Sequence, residues 1–547
     1  MSDKSPPHKP NGNRLDSWKE IAAYLKRDIR TVQRWEANEG LPVHRKHHAK
    51  LGSVYAFERE LDAWWSEGRA AVAEKPDTPV RRPMVAVLPL RNLSGDPAQE
   101  YFSDGLTEEL IAQLSRVQPS LLGVIAQCSA MKFKQTRQGA GQVGRVLGAT
   151  FIVDGSVRRD NERVRISVQL VRVRDQSLLW SESYDRHLRD ILDLQREVAC
   201  AVTAAVTAKV SSAAQASAGA PHPIDPEAYN SYLQGRFFWN KRTPDALQKA
   251  VERFESAIRG DASYAPAHAG LADCQALLAS IELGVLPPAD AMPKAKAAAQ
   301  RAVEIEPALA EAHASLGYAA LWYDWNWPLA ERELKRAIEL NPAYPTARQW
   351  YAAYLETLDR MNESITEINQ ALALDPLSPV FRGALGSSFY FERDYDRAIV
   401  ESRRALELDP NFVLAYFNVG RALVCKQRYA LAIAELKTAR KLSDESAAMT
   451  MALGYAYAAA GRKAEASKMI DVLKSRARRG YVPAFYFCAI YAGLRDFERG
   501  IQWLRKAHEE RSDYLVHLPK EPAADSLRSD PRFAELVPIP ADVIRGR

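Results

Sequence analysis

Two groups of residues in this chain have the types and spacing that binding chemistry requires. Arg30, Thr31, Gln33, Arg34 and Asn38 fall off the apolar side of a short predicted helix, and His44, Arg45, Lys46 and Lys50 follow closely. Arginine, glutamine and asparagine so placed suit phosphates and the base edges of a major groove. Between residues 26 and 50 seven Lys or Arg stand against three Asp or Glu, so the chemistry expected there is contact with double-stranded DNA. The second group is Gly139, Gly141 and Gly144, which satisfy a GxGxxG pattern. That pattern cradles a pyrophosphate where it directly follows a buried strand. Here Lys132, Lys134, Gln135, Thr136, Arg137 and Gln138 precede it as a basic loop, and the expected reading is a glycine-rich helix entry. His44, His47 and His48 lack a fourth ligand or a cysteine partner, which favours phosphate contact or solvation over a metal. No nucleophile elbow, Walker loop, kinase set or zinc-ligand cluster occurs, so no catalytic residue, cofactor or metal is expected.

The elements that must position the first group announce themselves by their ends. Ser17-Trp18-Lys19-Glu20 reads as a capping box: the Ser17 hydroxyl takes the amide of Glu20 and the Glu20 carboxylate reaches back. A helix starting at Trp18 has Ile21, Ala22 and Leu25 on one apolar side. Lys26-Arg27-Asp28 makes a short turn, and Ile29, Val32 and Trp35 give a second helix its own apolar side. Gly40-Leu41-Pro42 ends that helix. Residues 43–57 alternate like a hairpin with Gly52-Ser53 near its turn, and Glu60, Leu61, Ala63, Trp64 and Trp65 form a closing helix. The segments SWKEIAAYL, RTVQRWE, GLPVHR, GSVYAF and ELDAWW resemble the winged helix-turn-helix of the MerR and excisionase type. The resemblance implies a DNA-binding domain over residues 14–66, behind a polar, Pro-rich tail at residues 1–13.

Residues 67–82 are rich in Ala, Pro and charge and read as a linker. An α/β domain is expected over residues 83–210. Its predicted strands are 85–90, 121–127, 150–158, 163–173 and 177–184, and its predicted helices are 104–114, 142–147 and 188–210. The runs VAVLPLRNLSGDPAQEYFSDGLTEELIAQL, GATFIVDGSVRR and LLWSESYDR resemble the FlgO-like, or TolB amino-terminal-like, domain that precedes helical repeats in many bacterial regulators. A ligand sensor and a rigid spacer are both open as its role.

A second linker is expected over residues 211–226. Beyond it Glu306-Pro307, Asn341-Pro342, Asp375-Pro376 and Asp409-Pro410 recur at intervals of 35, 34 and 34 residues. Small residues recur with them, among them Gly386, Ala398, Ser402, Ala405, Gly420, Ala432 and Gly454. This pattern resembles the tetratricopeptide repeat, a helix pair that buries its apolar side only by stacking on copies of itself. About eight repeats are expected over residues 227–515. Ala262 takes the slot of a missing proline, and about eleven residues, roughly 281–293, form an inserted loop. Residues 516–547 are a cap and tail, with Leu527, Phe533 and Leu536 against the last helices. The resemblance implies a partner groove lined by the first helix of each pair, where Tyr318, Trp322, Gln349, Tyr390, Phe417, Arg421 and Tyr455 fall by position.

The expected fold class is therefore multidomain: a small winged helix-turn-helix, an α/β middle domain and an all-α solenoid. A net charge of +6 spread over 547 residues decides nothing about a polyanionic partner, so the local basic cluster carries that inference. Five scattered cysteines with no CxxC pair fit packed, reduced thiols, and no signal peptide or membrane span is evident, so a bacterial cytoplasmic protein is expected. The functional expectation is a DNA-binding transcriptional regulator whose solenoid receives a protein or peptide. The alternative is a scaffold whose head does not read DNA.

Overall fold

The computed structural model describes residues 14–25, 32–33, 36, 41–46, 53–62, 82–117, 122–134, 136, 138–160, 162–207 and 224–538. The chain divides into two units, Met1–Arg81 and Arg82–Arg547.

In the first unit the Ser17 hydroxyl accepts the Glu20 amide at 3.2 Å, and α1 (Trp18–Tyr24) starts behind it. The Glu20 carboxylate reaches one residue further back than a capping box requires, to the amide of Asp16 at 2.8 Å. Ile21 and Ala22 are buried with Val32, Leu41, Ala56 and Leu61. Strands β1 (Arg14–Leu15) and β2 (His44–Lys46) flank β3 (Ser53–Phe57), both antiparallel, with His44 opposite Tyr55. The turn expected at Gly52 lies outside the described residues.

The second unit begins with β4 (Met84–Val87), β5 (Arg91–Asn92), α2 (Glu100–Val117), β6 (Gly123–Val124), α3 (Gln127–Met131), α4 (Ala140–Leu147), β7 (Phe151–Asp160), β8 (Arg163–Arg172), β9 (Leu178–His187) and α5 (Ile191–Thr207). The sheet order is β6-β4-β7-β8-β9, with β5 also on β7. The β4, β5 and β6 pairings are parallel, and the β7-β8-β9 meander is antiparallel. Helix α2 starts earlier than its Ser103-Asp104 signal because Asp96 caps a 3-10 turn that runs directly into it. The strand expected over residues 121–127 shrinks to two residues because Gln127 already opens α3. What precedes the GxGxxG glycines is that helix and a turn. A Cβ on Gly144 would lie 2.3 Å from a Val173 methyl, so the glycine lets α4 pack closely on the end of the sheet.

Sixteen helices follow as eight pairs: α6 (Pro226–Trp239) with α7 (Pro244–Gly260), α8 (Ala265–Ala279) with α9 (Pro288–Ile305), α10 (Ala310–Ala319) with α11 (Trp327–Leu340), α12 (Pro345–Thr357) with α13 (Met361–Leu374), α14 (Pro379–Phe391) with α15 (Tyr395–Leu408), α16 (Val413–Cys425) with α17 (Tyr429–Leu442), α18 (Ala447–Ala459) with α19 (Lys463–Ala477), and α20 (Ala484–Gly493) with α21 (Phe497–Glu509). A short α22 (Pro531–Leu536) closes the described chain. The array resembles tetratricopeptide proteins, and two features explain its regularity. In three units of the proline ladder a side chain six residues on returns to the carbonyl at the proline slot: His313 to Pro307 at 3.0 Å, Arg348 to Pro342 at 3.2 Å and Tyr416 to Pro410 at 3.1 Å. His268 does the same to Ala262 at 3.1 Å, which puts the proline-free unit in register with the others.

The second feature is a ruler that outlasts the prolines. Trp325, Asp359, Arg393, Gln427, Gly461 and Arg495 all have positive φ, each 34 residues after the last. They form the left-handed turn between the two helices of each of the last six pairs, and the interval holds where the proline ladder has faded. The insertion differs from its expected outline. Residues 280–287 are the loop, and Pro288 to Pro293 instead form the first turns of a long α9, with Pro288 at a position where a missing amide costs little.

No described helix is long and apolar enough to cross a membrane. The five cysteines are free; Cys274 and Cys488 are buried, Cys200 and Cys425 half-buried, and Cys128 exposed rather than packed.

Candidate functional site

Of the residues expected to meet DNA, Arg30, Thr31, Arg34, Asn38 and Lys50 lie outside the described residues. Gln33 is exposed at a helical position beside the buried Val32. Arg45 and Lys46 stand on β2. His44 is half-buried: its Nε2 lies 2.6 Å from the Glu60 carboxylate, and its ring stacks on Tyr55 at 5.1 Å. That arrangement fixes the imidazole at the foot of the β2–β3 pair.

The inner side of the helical array is a second candidate site. Tyr318 stacks on Trp322 at 4.2 Å and meets Trp350 at 4.8 Å, and Gln349 is half-buried alongside. Arg421 lies over the Tyr390 ring at 4.0 Å and near Phe417 at 5.1 Å. Tyr455 packs against Gly493. All of these but Trp322 stand on the first helices of their pairs, and they do not frame an open groove. Tyr318, Trp322 and Tyr390 are 8%, 7% and 2% exposed because the chain's own carboxyl-terminal segment covers them.

That segment leaves α21, crosses the first helices of several pairs, and is held mainly by side chains. Arg511 donates to the Tyr323 carbonyl at 3.0 Å, and Val516 joins the cluster of Trp322, Trp350 and Tyr354. His517 stacks on Phe391 at 5.2 Å and Lys520 pairs with Asp359. Tyr390 donates its hydroxyl to Glu521 at 2.5 Å, Tyr514 donates to the same carboxylate, and Asp525 takes a two-pronged contact from Arg393 at 2.8 and 2.9 Å. Burial pushes the Asp513 carboxyl up to about 7 and holds the His517 imidazole down to about 4. Sequence reasoning placed only the apolar Leu527, Phe533 and Leu536 of this region, because its contacts follow no helical period.

The middle domain is joined to the array through buried polar contacts that the sequence did not announce. Ser129 donates its amide to Asp375 at 2.8 Å and its hydroxyl to the same oxygen, while accepting the Leu377 amide at 2.8 Å. Ala126 donates to the Leu374 carbonyl at 2.8 Å. On α2, Glu109 accepts from Tyr232 at 2.7 Å and Glu108 from Arg236 at 2.8 Å. The apolar core of the sheet runs on without a break into Tyr229, Phe254 and Leu278 of the first two pairs. Asp375, one of the residues of the proline ladder, therefore also receives the middle domain.

Comparison with known proteins adds a regulatory association. Residues 81–200 match the family described as HilA/YgeH-like transcriptional regulator, second domain. A putative adenylate cyclase 3 of Rhizobium meliloti is 32% identical over 281 residues, which are 49% of this chain and 46% of that protein. The transcriptional regulator HilA of Salmonella typhimurium is 23% identical over 335 residues, 61% of this chain and 56% of its own. The chain thus spans about half the length of the curated relatives it matches. Among solved structures, a thermophilic TPR protein of Thermus thermophilus, TTC0263, is 21% identical and aligns over 36% of this chain and 99% of its own, with a TM-score of 0.31. YrrB, described as a TPR protein with an unusual peptide-binding site, is 18% identical over 34% of this chain and 89% of its own, with a TM-score of 0.24. The middle region is thus similar to a domain of transcriptional regulators.

Proposed function

We propose that this protein is a DNA-binding transcriptional regulator whose helical array receives a protein or peptide signal. The observation that carries this reading is the similarity of residues 81–200 to the second domain of HilA/YgeH-like transcriptional regulators. The basic cluster ahead of that domain supports it. In this reading the amino-terminal unit is a winged helix-turn-helix of the MerR type. Arg30, Thr31, Gln33, Arg34 and Asn38 meet base edges and phosphates, while His44, Arg45, Lys46 and Lys50 hold the neighbouring backbone. The FlgO-like middle domain acts as a rigid extension of the array, supported by the Ser129–Asp375 and Tyr232–Glu109 contacts. The protein works in the cytoplasm and catalyses no reaction.

The test is an anisotropy titration of the full chain against genomic fragments over a range of salt concentrations. A regulator prefers particular fragments, and its affinity falls log-linearly with salt as phosphate contacts release counterions. Binding with neither fragment preference nor salt dependence rejects the regulator and leaves the scaffold reading.

A further inference from the structure

The strip expected to receive a partner is occupied by residues 511–527 of the same chain, and the chemistry of that occupation is specific. Its centre is a carboxylate. Glu521 takes hydroxyl hydrogens from Tyr390 on α14 and Tyr514 in the segment itself, and the Arg421 guanidinium lies over the Tyr390 ring at 4.0 Å. Arg421 donates from Nη2 to Ser387 at 2.7 Å, but its buried Nε finds no acceptor among the described residues. A desolvated guanidinium nitrogen without an acceptor is unfavourable. On one side of this centre, His517 lies flat on Phe391; on the other, Arg393 clamps Asp525. The segment is built of short 3-10 turns, Asp513–His517 and Pro522–Ala524, and contributes no helix to the repeat pairs. Its Leu515, Leu518, Ala524 and Leu527 are buried in the core of the last pairs, so the segment is anchored there while its polar side chains reach across α14.

We propose that residues 511–527 are an intramolecular ligand, and that the inner strip is a binding site for an extended acidic peptide of the same chemistry: a carboxylate for the Tyr390 hydroxyl, and a flat aromatic or imidazole ring for Phe391. A partner enters by displacing the segment, so the resting protein holds its own site closed. This deepens the proposed function, because it rests on the array receiving a peptide. It also states which peptide class and by what exchange.

The experiment uses the full chain and a labelled synthetic peptide of residues 511–527. Hydrogen exchange of the wild-type protein comes first. Amides of the segment should exchange at least tenfold faster than those of α12 and α14, because a displaceable segment opens locally. In R393A/D525A, which removes an exposed clamp, segment exchange should rise a further tenfold while α6 and α7 stay unchanged. The labelled peptide should bind this variant at least tenfold more tightly than wild type, and a peptide carrying E521Q should lose that gain. If the segment's amides open only together with α12 and α14, and the peptide binds neither protein, the proposal is overturned. The DNA titration is independent of both readouts: a failure there removes the regulator reading and leaves the peptide site standing, whereas a silent peptide removes the site whatever DNA does.

Discussion

The Tyr486 hydroxyl donates to the backbone carbonyl of Ile281, 205 residues earlier in the chain. Beside it, the Ile281 amide donates to Asp513 at 3.0 Å. The loop inserted into the second helix pair therefore reaches the first helix of the eighth pair and the segment that follows the array. Repeat arrays ordinarily hold together through neighbours alone; here a long-range contact ties the second pair to the last.

Removing the Tyr486 hydroxyl as Y486F leaves the Ile281 carbonyl without this donor and should lower stability by roughly 1 kcal/mol. Gly284 stands at φ +60 with Tyr486 Oη 3.0 Å from where a Cβ would go. G284A should therefore cost more, on the order of 2 kcal/mol, from left-handed strain and crowding together. Urea unfolding of both variants checks the order; equal midpoints for the two would contradict it.

The joint between the middle domain and the array depends on Ser129. S129A removes a donor to the buried Asp375 and the acceptor of the Leu377 amide, so a loss of roughly 2–3 kcal/mol is expected. Limited proteolysis should show faster cleavage between the two regions in this variant, while the helical circular dichroism signal is kept.

Stability should fall as pH rises toward neutrality. Burial raises Asp273 and Asp375 to about 6, and Glu356 and Asp513 to about 7. Between the ordinary carboxyl range and these values the folded state holds more protons than the unfolded chain. The stability of the neutral forms is therefore complete below about pH 4 and lost by about pH 7, at up to about 1.4 kcal/mol per pH unit for each group. His517, lowered to about 4, opposes this below pH 6.5, because there the unfolded chain binds the extra proton. E356Q mimics the neutral carboxyl that bonds Ser388 and Ser364. Its unfolding free energy should decline less between pH 5 and 7.5 than that of wild type.

The left-handed ruler makes opposite predictions at two of its positions. Gly461 has φ +75 with open space around its missing Cβ, so G461A should cost about 1 kcal/mol from backbone strain alone. Gln427, exposed at φ +57, should gain up to about 1 kcal/mol as Q427G, because relief of strain exceeds the added freedom of the unfolded chain. Thermal midpoints of the pair decide whether the 34-residue turn is set by backbone conformation.

For the amino-terminal unit, R34A should weaken binding to a preferred fragment by roughly 1–3 kcal/mol if Arg34 reads a base, and should lower the salt slope by about one if it holds a phosphate. Anisotropy at two or more salt concentrations separates the two roles.

The sequence alone determined the elements whose causes are local. Ser17 and Glu20 marked the start of α1, the glycines and small residues marked where helices approach, and prolines at intervals of 34 or 35 residues counted out helix pairs, because caps, turns and apolar periodicity act within a few residues. It also rejected a nucleotide site at Gly139, since the strand such a site needs was visibly missing. What only the tertiary structure decided is where these elements meet. The Tyr486–Ile281, Ser129–Asp375 and Tyr390–Glu521 contacts join residues 205, 246 and 131 positions apart. Hydrogen bonds between distant partners leave no periodicity in either stretch, and a 3-10 segment held by side chains looks from its sequence like a tail. So the contacts that set residues 511–527 against Tyr390 and Trp322 were decided by the tertiary structure alone, because neither stretch carries a local signal for the other.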